Sequence, residues 1–427
     1  MHKNNKFVIS VKRFFSILGP GLVTGASDDD PSGIATYSQA GALYGLSTLW
    51  TALITFPLMA SIQEMCARIG LVTSKGLTGI LKTYYPKPVL YLVLLFSFPA
   101  IIMNIGADIA GMGAVANLIV PGVHPAWFSI AFTLLLVIFI VNFPYRKFAA
   151  VLKYLAMVLL VYLIVPFFTK INIGDVIKAT FIPHIQFNKQ YVGILVAILG
   201  TTISPYLFFW QATMEVEELK QKQKKQTKVL IVGNRMFQSM KKDVNFGMFF
   251  SNIVMYFIIL TTGAVLATSG VHKIDTVEEA AQALRPLAGN MAYHLFALGV
   301  IGTGLLAIPV LSGSLSYIFS ETFGWPMGLD KKFHEAKGFY IIIVLSLIAG
   351  LLMNYLGISP IQALIYSAVL YGVTAPVIIA IVLHICNNKK IMGDRSNGLR
   401  ANILGFATLI LMTVAAVALL YLQFFTS

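Results

Sequence analysis

Eleven long apolar segments divide the chain, and they limit its fold more than any other feature of the sequence. A helix needs about 20 mostly apolar residues to cross a hydrocarbon core of roughly 30 Å, and each segment is long enough. The hydrophobic share of 57% and the charged share of 11% are far outside the range of a soluble globular domain. The alternating ten-residue pattern of an outer-membrane barrel is missing. We therefore predict an all-α integral membrane protein, with one transmembrane domain over residues 1–427. The predicted spans are residues 13–40, 43–68, 88–119, 126–144, 148–169, 190–214, 245–270, 292–321, 338–357, 359–386 and 401–424.

Lysine and arginine fall mostly on one side of these spans. With the N-terminus in the cytoplasm, 26 of the 31 Lys and Arg residues lie in cytoplasmic segments. The positive-inside rule therefore predicts a cytoplasmic N-terminus and an outside C-terminus, in the plasma (inner) membrane. The same asymmetry accounts for the net charge of +14, so the bilayer is the expected partner and a nucleic acid is not. The most basic segment, 219–243, is predicted to be a cytoplasmic loop, and the outer loop 271–291 to contain a short helix.

The first and sixth spans are interrupted by proline and polar residues. The first contains "DDDPSG" at residues 28–33, and the sixth contains "GTTISP" at residues 200–205. Proline removes a backbone donor and clashes with the preceding turn, so both helices should break within the membrane. Helix one runs outward and helix six runs inward, five spans later, which is typical of an inverted-repeat secondary transporter. The predicted halves are about 13–170 and 188–387, followed by an extra helix at about 401–424.

Asp30 lies directly at the first break. A charged side chain at the bilayer centre costs about 2.5–3.5 kcal/mol on insertion scales and needs a partner. No Lys or Arg lies near either break, so a cation from outside is the simplest partner. Carboxylate, carbonyl and hydroxyl oxygens suit a hard cation such as Mg²⁺, Ca²⁺ or Mn²⁺. The candidate metal ligands are Asp30, Gly33, Thr201 and Ser204. The alternative is that Pro205 merely kinks its helix.

Further polar residues are candidates for the surroundings of the ion or for its path. Asp28, Asp29 and Thr202 adjoin the two breaks, and the two aspartates could equally lie in a solvated vestibule. Gln362 and Tyr366 in helix ten are predicted to face the transport cavity, only because they lie near the middle of the membrane. Asn104 in helix three is assigned to helix packing instead.

Four motifs together resemble the natural resistance-associated macrophage protein (Nramp) family of divalent-metal transporters. The resemblance implies a LeuT-like fold of five plus five helices with helix eleven added, and a metal-binding role for the aspartate of the first motif. The motifs are "DPSGIAT" from Asp30 to Thr36, "QEMCARIGLVTSKGL" from Gln63 to Leu77, "GTTISPY" from Gly200 to Tyr206 and "KIMG" from Lys390 to Gly393.

Two departures from the family pattern bear on the choice of ion. Gly33 stands where the family has asparagine, and Ser204 stands where it has methionine, a soft thioether that favours transition metals. Both changes widen the cavity and leave oxygen ligands, so a partly hydrated ion fits, and Mg²⁺ keeps its waters most strongly. The chain thus resembles the Nramp-related magnesium transporters, and we expect Mg²⁺ first and Mn²⁺ second.

Other departures bear on proton coupling. Tyr206 and Gln211 replace the two histidines of the family's helix six. In helix three Asp108 is kept, while Ile105 occupies the other acidic position. A proton path needs titratable groups in series, so we expect movement driven by the ion gradient alone. Asp108 could instead be a carboxyl hydrogen-bonded between helices. The alternative function is an ordinary proton-coupled Mn²⁺ or Fe²⁺ transporter.

Rival functions are a sodium-coupled amino-acid carrier of the same fold, a membrane enzyme and a metal-sensing receptor without transport. In the carrier, helix-one amides would bind a substrate carboxylate, which Asp30 would repel. The seven histidines lie mostly in loops or at helix ends without metal-ligand spacing, so neither an enzyme nor a resident cofactor is expected. A receptor would be distinguished by the absence of ion movement into liposomes.

Overall fold

A computed structural model describes residues 19–143, 157–169, 171–224 and 232–425. All regular secondary structure within these ranges is helical. We number the twelve principal helices and describe the shorter ones by their residues. The principal helices are α1 (Pro20–Asp28), α2 (Pro31–Tyr44), α3 (Trp50–Thr73), α4 (Lys87–Ile119), α5 (Pro125–Asn142), α6 (Lys189–Thr202), α7 (Pro205–Lys224), α8 (Asn234–Val265), α9 (Ala292–Phe323), α10 (Lys337–Met353), α11 (Pro360–Asn387) and α12 (Leu399–Phe425).

Eight helical segments in the described ranges are long and apolar enough to cross a membrane. Among them are the combined segment Lys189–Lys224, which contains α6 and α7, and the single helices α4, α5, α11 and α12. Residues 148–156 of the predicted span 148–169 lie outside the described residues, and the rest of the span forms short helical turns between Met157 and Phe168. The total of eleven spans stays a prediction.

Both predicted helix breaks are present. Helix α1 ends at Asp28 and α2 begins at Pro31, while α6 ends at Thr202 and α7 begins at Pro205. Each proline occupies the first position of its helix, where the missing N–H has no intrahelical partner to lose. The two breaks therefore occur where the proline chemistry predicts them.

Two predicted boundaries are wrong. The second span was expected at 43–68, but α2 continues to Tyr44 and ends at Gly45, whose φ of 57° reverses the chain before α3 starts at Trp50. Residues 219–243 are not a simple loop, because α7 reaches Lys224 and α8 already begins at Asn234. Charged residues there extend the helices beyond their apolar part, and a Lys222–Glu218 ion pair of 2.5 Å supports the last turn of α7.

The expected short helix in the outer loop is confirmed at Val277–Ala281. Thr276 begins it with a capping box, in which its hydroxyl accepts from the Glu279 amide while the Glu279 carboxylate accepts from the Thr276 amide. This segment packs its alanines inward, since Ala280 and Ala281 are buried.

Helix α1 packs on α8 through bare backbone. A Cβ on Gly25 would lie 2.1 Å from the Gly247 carbonyl oxygen, and one on Gly21 would lie 2.6 Å from the Val244 nitrogen. Small residues allow two membrane helices to approach this closely. The contact fixes α1, and with it the first break.

Asp243 of α8 holds the start of α1. The first amides of a helix have no intrahelical partner. The Asp243 carboxylate accepts from three of them, those of Gly19 at 2.8 Å, Gly21 at 2.7 Å and Leu22 at 3.2 Å. The position of α1 is thus determined at its start by charge-assisted hydrogen bonds and along its length by close packing.

Replacing Gly25 by alanine should separate the two helices and destabilise the protein. The added methyl group would overlap the Gly247 carbonyl, and overpacking of this kind costs about 1–3 kcal/mol. The measurement is the melting temperature of the detergent-solubilised protein. The matched control is Gly193→Ala in α6, whose new Cβ would meet only Leu419 Cδ1 at 3.8 Å. Equal melting temperatures for the two variants would contradict the packing argument.

Candidate metal centre

Asp30 is buried at the first break and is bound by neutral donors. It is 2% exposed. Its Oδ1 accepts from the Gly33 amide at 2.7 Å, and its Oδ2 accepts from Asn104 Nδ2 at 2.8 Å. Within the described ranges no Lys, Arg or His side chain forms an ion pair with it. A negative charge on this carboxylate would therefore be stabilised only by the dipoles of the described residues around it.

Asn104 links Asp30 to a small hydroxyl network. Its Oδ1 accepts from Ser367 Oγ at 2.8 Å, and Ser367 Oγ lies 3.0 Å from Ser32 Oγ. The network joins α2, α4 and α11 behind the carboxylate. Assigning Asn104 to packing was therefore incomplete, and Ser367 was missed altogether. The available signal was helical spacing, since Asn104 lies four residues before Asp108 on one face of α4.

The oxygen atoms of three predicted site residues surround Gly33. A Cβ at this glycine would lie 3.3 Å from Thr201 Oγ1 and 3.4 Å from the Asp28 carbonyl oxygen. The Asp30 carboxylate already contacts the Gly33 amide. Gly33 is thus closely packed among a carboxylate, a hydroxyl and a carbonyl, which are oxygen donors of the kind hard cations bind.

Ser204 lies in the second break and faces its own backbone. Its hydroxyl is 2.7 Å from the Thr201 carbonyl oxygen and 3.0 Å from that of Gly200, both of which accept from it. Like Asp30 and Thr201, it is 2% exposed. The candidate ligands are therefore shielded from both surfaces in this conformation.

Tyrosine hydroxyls connect the two breaks. Tyr206 at the start of α7 donates to the Ser27 carbonyl in α1 at 2.9 Å. Tyr37 in α2 shares a hydrogen bond of 3.1 Å with Thr202 at the end of α6. The ring of Tyr206 also lies 5.6 Å from that of Tyr371 in α11, centroid to centroid. Tyr206 and Thr202, both predicted near the site, thus bridge the two halves of the break region.

Gln211 lies on a polar path that leads away from the break. Its Oε1 accepts from the Thr24 hydroxyl at 2.5 Å, and its Nε2 donates to Glu215 Oε1 at 3.0 Å. Glu215 lines a cavity of about 200 Å³ together with Glu218 and Asp243. Glu215 is only 4% exposed, so it belongs to the protein interior. The structure therefore connects Gln211 to this cavity and shows no contact of its side chain with Asp30.

Asp28, Asp29 and Asp108 are buried and form no ion pair with any Lys, Arg or His of the described ranges. Asp28 and Asp29 are each 1% exposed, which contradicts a solvated vestibule for them in this conformation. Ser251 of α8 donates to Asp28 Oδ2 at 2.6 Å. Asp108 is fully buried, and neither of its carboxylate oxygens has a hydrogen-bond partner among the described residues. The alternative role of Asp108, as a carboxyl hydrogen-bonded between helices, stays a prediction.

Gln362 and Tyr366 are not brought to the site. Both side chains are exposed, Tyr366 by 50%, and Gln362 belongs to the first turn of α11, where its amide donates to Ser359 Oγ. Depth alone cannot predict the rotation of a helix about its axis. The buried face of α11 instead carries Ser367 and Tyr371, which are four residues apart.

No group of three or more His, Cys, Asp or Glu side chains in the described part of the chain is arranged to hold a metal ion. A cation at the breaks would therefore combine a carboxylate with neutral oxygens. Such a site differs from the closed thiolate and imidazole sites that bind zinc.

Comparison with known proteins gives the family of the chain. The family described as natural resistance-associated macrophage protein-like matches residues 21–422. The chain belongs to the Nramp family. Family membership makes it a multi-pass membrane transporter rather than an enzyme, as the sequence predicts.

Solved structures show the same fold. One is the manganese transporter of Eremococcus coleocola in complex with an aromatic bis-isothiourea substituted compound, which is 17% identical with a TM-score of 0.73 over 95% of this chain and 85% of that one. Another is Mhp1, a nucleobase-cation-symport-1 family transporter in a closed conformation with bromovinylhydantoin bound, which is 14% identical with a TM-score of 0.53 over 94% and 91%. At these identities the likeness shows the fold alone, and the predicted LeuT-like architecture is confirmed.

Asn104→Leu should weaken cation binding at Asp30 while the protein still folds. The change removes a donor to the carboxylate and the acceptor for Ser367, and loss of such a supporting contact typically lowers metal affinity about 10–100-fold. Calorimetric titration of the purified protein with Mn²⁺ measures this. The matched control is Asn142→Leu, at the exposed end of α5. If Asn104→Leu left the affinity for Mn²⁺ unchanged, the hydrogen-bond network of Asn104, Ser367 and Ser32 would have no part in ion binding.

Proposed function

We propose that this Nramp protein carries divalent metal cations across the plasma (inner) membrane by alternating access, with Mg²⁺ preferred and Mn²⁺ second. The observation that carries the proposal is a buried aspartate, Asp30, between two helix breaks and without a basic partner in the described ranges. A buried charge without a pair is costly, and a transported cation supplies the missing charge.

The proposed ligands are the Asp30 carboxylate and oxygens from Gly33, Thr201 and Ser204. All are oxygen donors, and none of them supplies sulfur or an imidazole nitrogen. Mg²⁺ dehydrates reluctantly and is bound through few protein ligands, so it matches such a site. Manganese also accepts oxygen ligands, and the Eremococcus coleocola relative is a manganese transporter by its description, which supports Mn²⁺ as second.

We further propose that the ion moves without coupled protons. Tyr206 uses its hydroxyl to hold the Ser27 carbonyl, and Gln211 is an amide that does not titrate. A proton path along α7 would therefore be interrupted at both positions. The rival is a proton-coupled Mn²⁺ or Fe²⁺ transporter, which the buried Asp108 of α4 favours.

A sodium-coupled amino-acid carrier of the same fold is a weaker candidate. Fold alone does not decide the substrate, since Mhp1 shares the architecture. At this break the Asp30 carboxylate faces the Gly33 amide and so occupies a donor that a substrate carboxylate would need. The charge of Asp30 would repel such a substrate.

The proposed topology places the N-terminus in the cytoplasm and the C-terminus outside. It is supported by the 26 of 31 Lys and Arg residues that fall on the cytoplasmic side. The inverted halves would then cover about 13–170 and 188–387, with the added helix at about 401–424.

Uptake into proteoliposomes tests the ion and the coupling together. Vesicles that contain Mg²⁺ and Mn²⁺ indicators and a pH dye should take up Mg²⁺ without acidification of the lumen. Vesicles with Asp30→Ala should take up neither ion, because the only carboxylate among the proposed ligands is gone. Uptake of Mn²⁺ alone, accompanied by protons, would instead establish an ordinary proton-coupled transporter.

Ser204→Met should shift the ion preference toward soft metals. A thioether at the second break would add a ligand that favours ions such as Cd²⁺ over Mg²⁺. The measurement is Cd²⁺ uptake relative to Mg²⁺ uptake in the same vesicles, with Ser204→Ala as the control that removes the hydroxyl without adding sulfur. An unchanged profile in the methionine variant would remove Ser204 from the ligands.

A further inference from the structure

Two buried carboxylates lie beside the proposed ion site but outside its ligand set. Asp28 ends α1, Asp29 lies in the break, and each is 1% exposed. Ser251 Oγ is 2.6 Å from Asp28 Oδ2 and 3.4 Å from Asp29 Oδ1. The other oxygen of each carboxylate, Asp28 Oδ1 and Asp29 Oδ2, is buried without a hydrogen-bond partner among the described residues.

The charge of this pair is not balanced by the protein. No ion pair to Asp28 or Asp29 is formed by any Lys, Arg or His of the described ranges. Buried charges in proteins are ordinarily paired or coordinate metals. A single divalent cation at Asp30 could offset two negative charges, yet three consecutive aspartates are buried here. The carboxylates of Asp28 and Asp29 are therefore neutralised either by protons or by a cation of their own.

The C-terminal end of α1 adds partial negative charge at the position of these two aspartates. Asp28 is at the C-terminal end of α1, where the carbonyl groups of the last turn point away from the helix. The helix dipole favours cations at such an end and disfavours carboxylates. Two acidic residues at this end are unfavourable for the isolated helix. They become favourable when a cation is bound between them.

Ser251 is held in place by the contact between α8 and α1. Asp243, Gly247 and Ser251 are spaced by four residues and so form one stripe along α8. Asp243 binds the first amides of α1, Gly247 packs on its middle and Ser251 reaches its last residue. The serine oxygen is thus directed at the carboxylates by the packing of two helices rather than by a loop.

We propose that Asp28, Asp29 and Ser251 form a second cation site, which holds a second hard divalent ion next to the one at Asp30. The inference depends on the proposed function, because it adds an ion to the same transport cycle. Two carboxylates match a charge of 2+, and carboxylate and hydroxyl oxygens are the ligands that hard divalent cations take. The Ser251 hydroxyl donates its proton in a hydrogen bond to Asp28, so the lone pairs of its oxygen are free for the ion.

The test uses Mn²⁺ as the probe and the purified full-length chain in lipid nanodiscs. Equilibrium dialysis in sodium-free buffer should give two bound Mn²⁺ per chain. Electron paramagnetic resonance should show the magnetic coupling of two neighbouring ions. The double variant Asp28→Asn/Asp29→Asn should bind one Mn²⁺ with an uncoupled spectrum, whereas the matched control Asp175→Asn, exposed on the outer helix Ile173–Phe181, should keep two.

Ser251→Ala provides a second test should the double variant fail to fold, as judged by gel filtration. It leaves both carboxylates in place and removes one ligand. The affinity for the second Mn²⁺ should therefore fall about tenfold, while the affinity for the first stays unchanged.

One Mn²⁺ per chain in the unaltered protein would overturn the inference, and so would two Mn²⁺ that persist with coupling in the double variant. If Ser251→Ala bound the second Mn²⁺ with unchanged affinity, the serine would not be a ligand, and the site as proposed would be overturned. In each case uptake of Mg²⁺ or Mn²⁺ into vesicles would leave the proposed transport function standing. Only the absence of both binding and uptake would count against that function itself.

Discussion

Proline cannot donate a backbone hydrogen bond, and Pro31 and Pro205 therefore determine where the central helices of this protein open. Polar backbone groups freed inside a membrane protein must find partners within it. Here they do so with side chains from the breaks themselves. Asp30 accepts from the Gly33 amide, the Tyr206 hydroxyl donates to the Ser27 carbonyl, and Ser204 donates to the carbonyls beside it. Two of the proposed ion ligands, Asp30 and Ser204, thus also form hydrogen bonds with backbone groups at the breaks.

This arrangement depends on α8. Helix α1 has nine residues, and so short a helix is not stable alone. It is held by the Asp243 carboxylate at its start and by the Gly247 backbone along its length. The position of Asp30 relative to Thr201 therefore follows from a helix contact that contains none of the ligands proposed for the ion at Asp30. A transporter that opens by moving α1 must first release this contact.

The sequence predicts the parts of the site that follow from local chemistry. The breaks follow from proline, the importance of Asp30 follows from an unpaired charge, and the fold follows from two interrupted helices at matched positions. Asn104 and Ser367 could not be found in this way, because their role depends on which faces of α4 and α11 meet the break. Gln362 was misplaced for the same reason. The start of α8 was placed too late, because a charged helix can continue beyond its apolar part without any change in local propensity.

The number of ions in the site also decides what drives transport. Each elementary charge that crosses the membrane gains about 2.3 kcal/mol per 100 mV of potential. A divalent ion that moves without protons takes its driving force from its own gradient and from this potential, which is negative inside and favours entry. If the carboxylates of Asp28 and Asp29 carry a second ion through the cycle, twice the charge crosses and the dependence on potential doubles. If that ion stays bound, it neutralises α1 and leaves the dependence unchanged. Voltage dependence would therefore distinguish a transported second ion from a structural one.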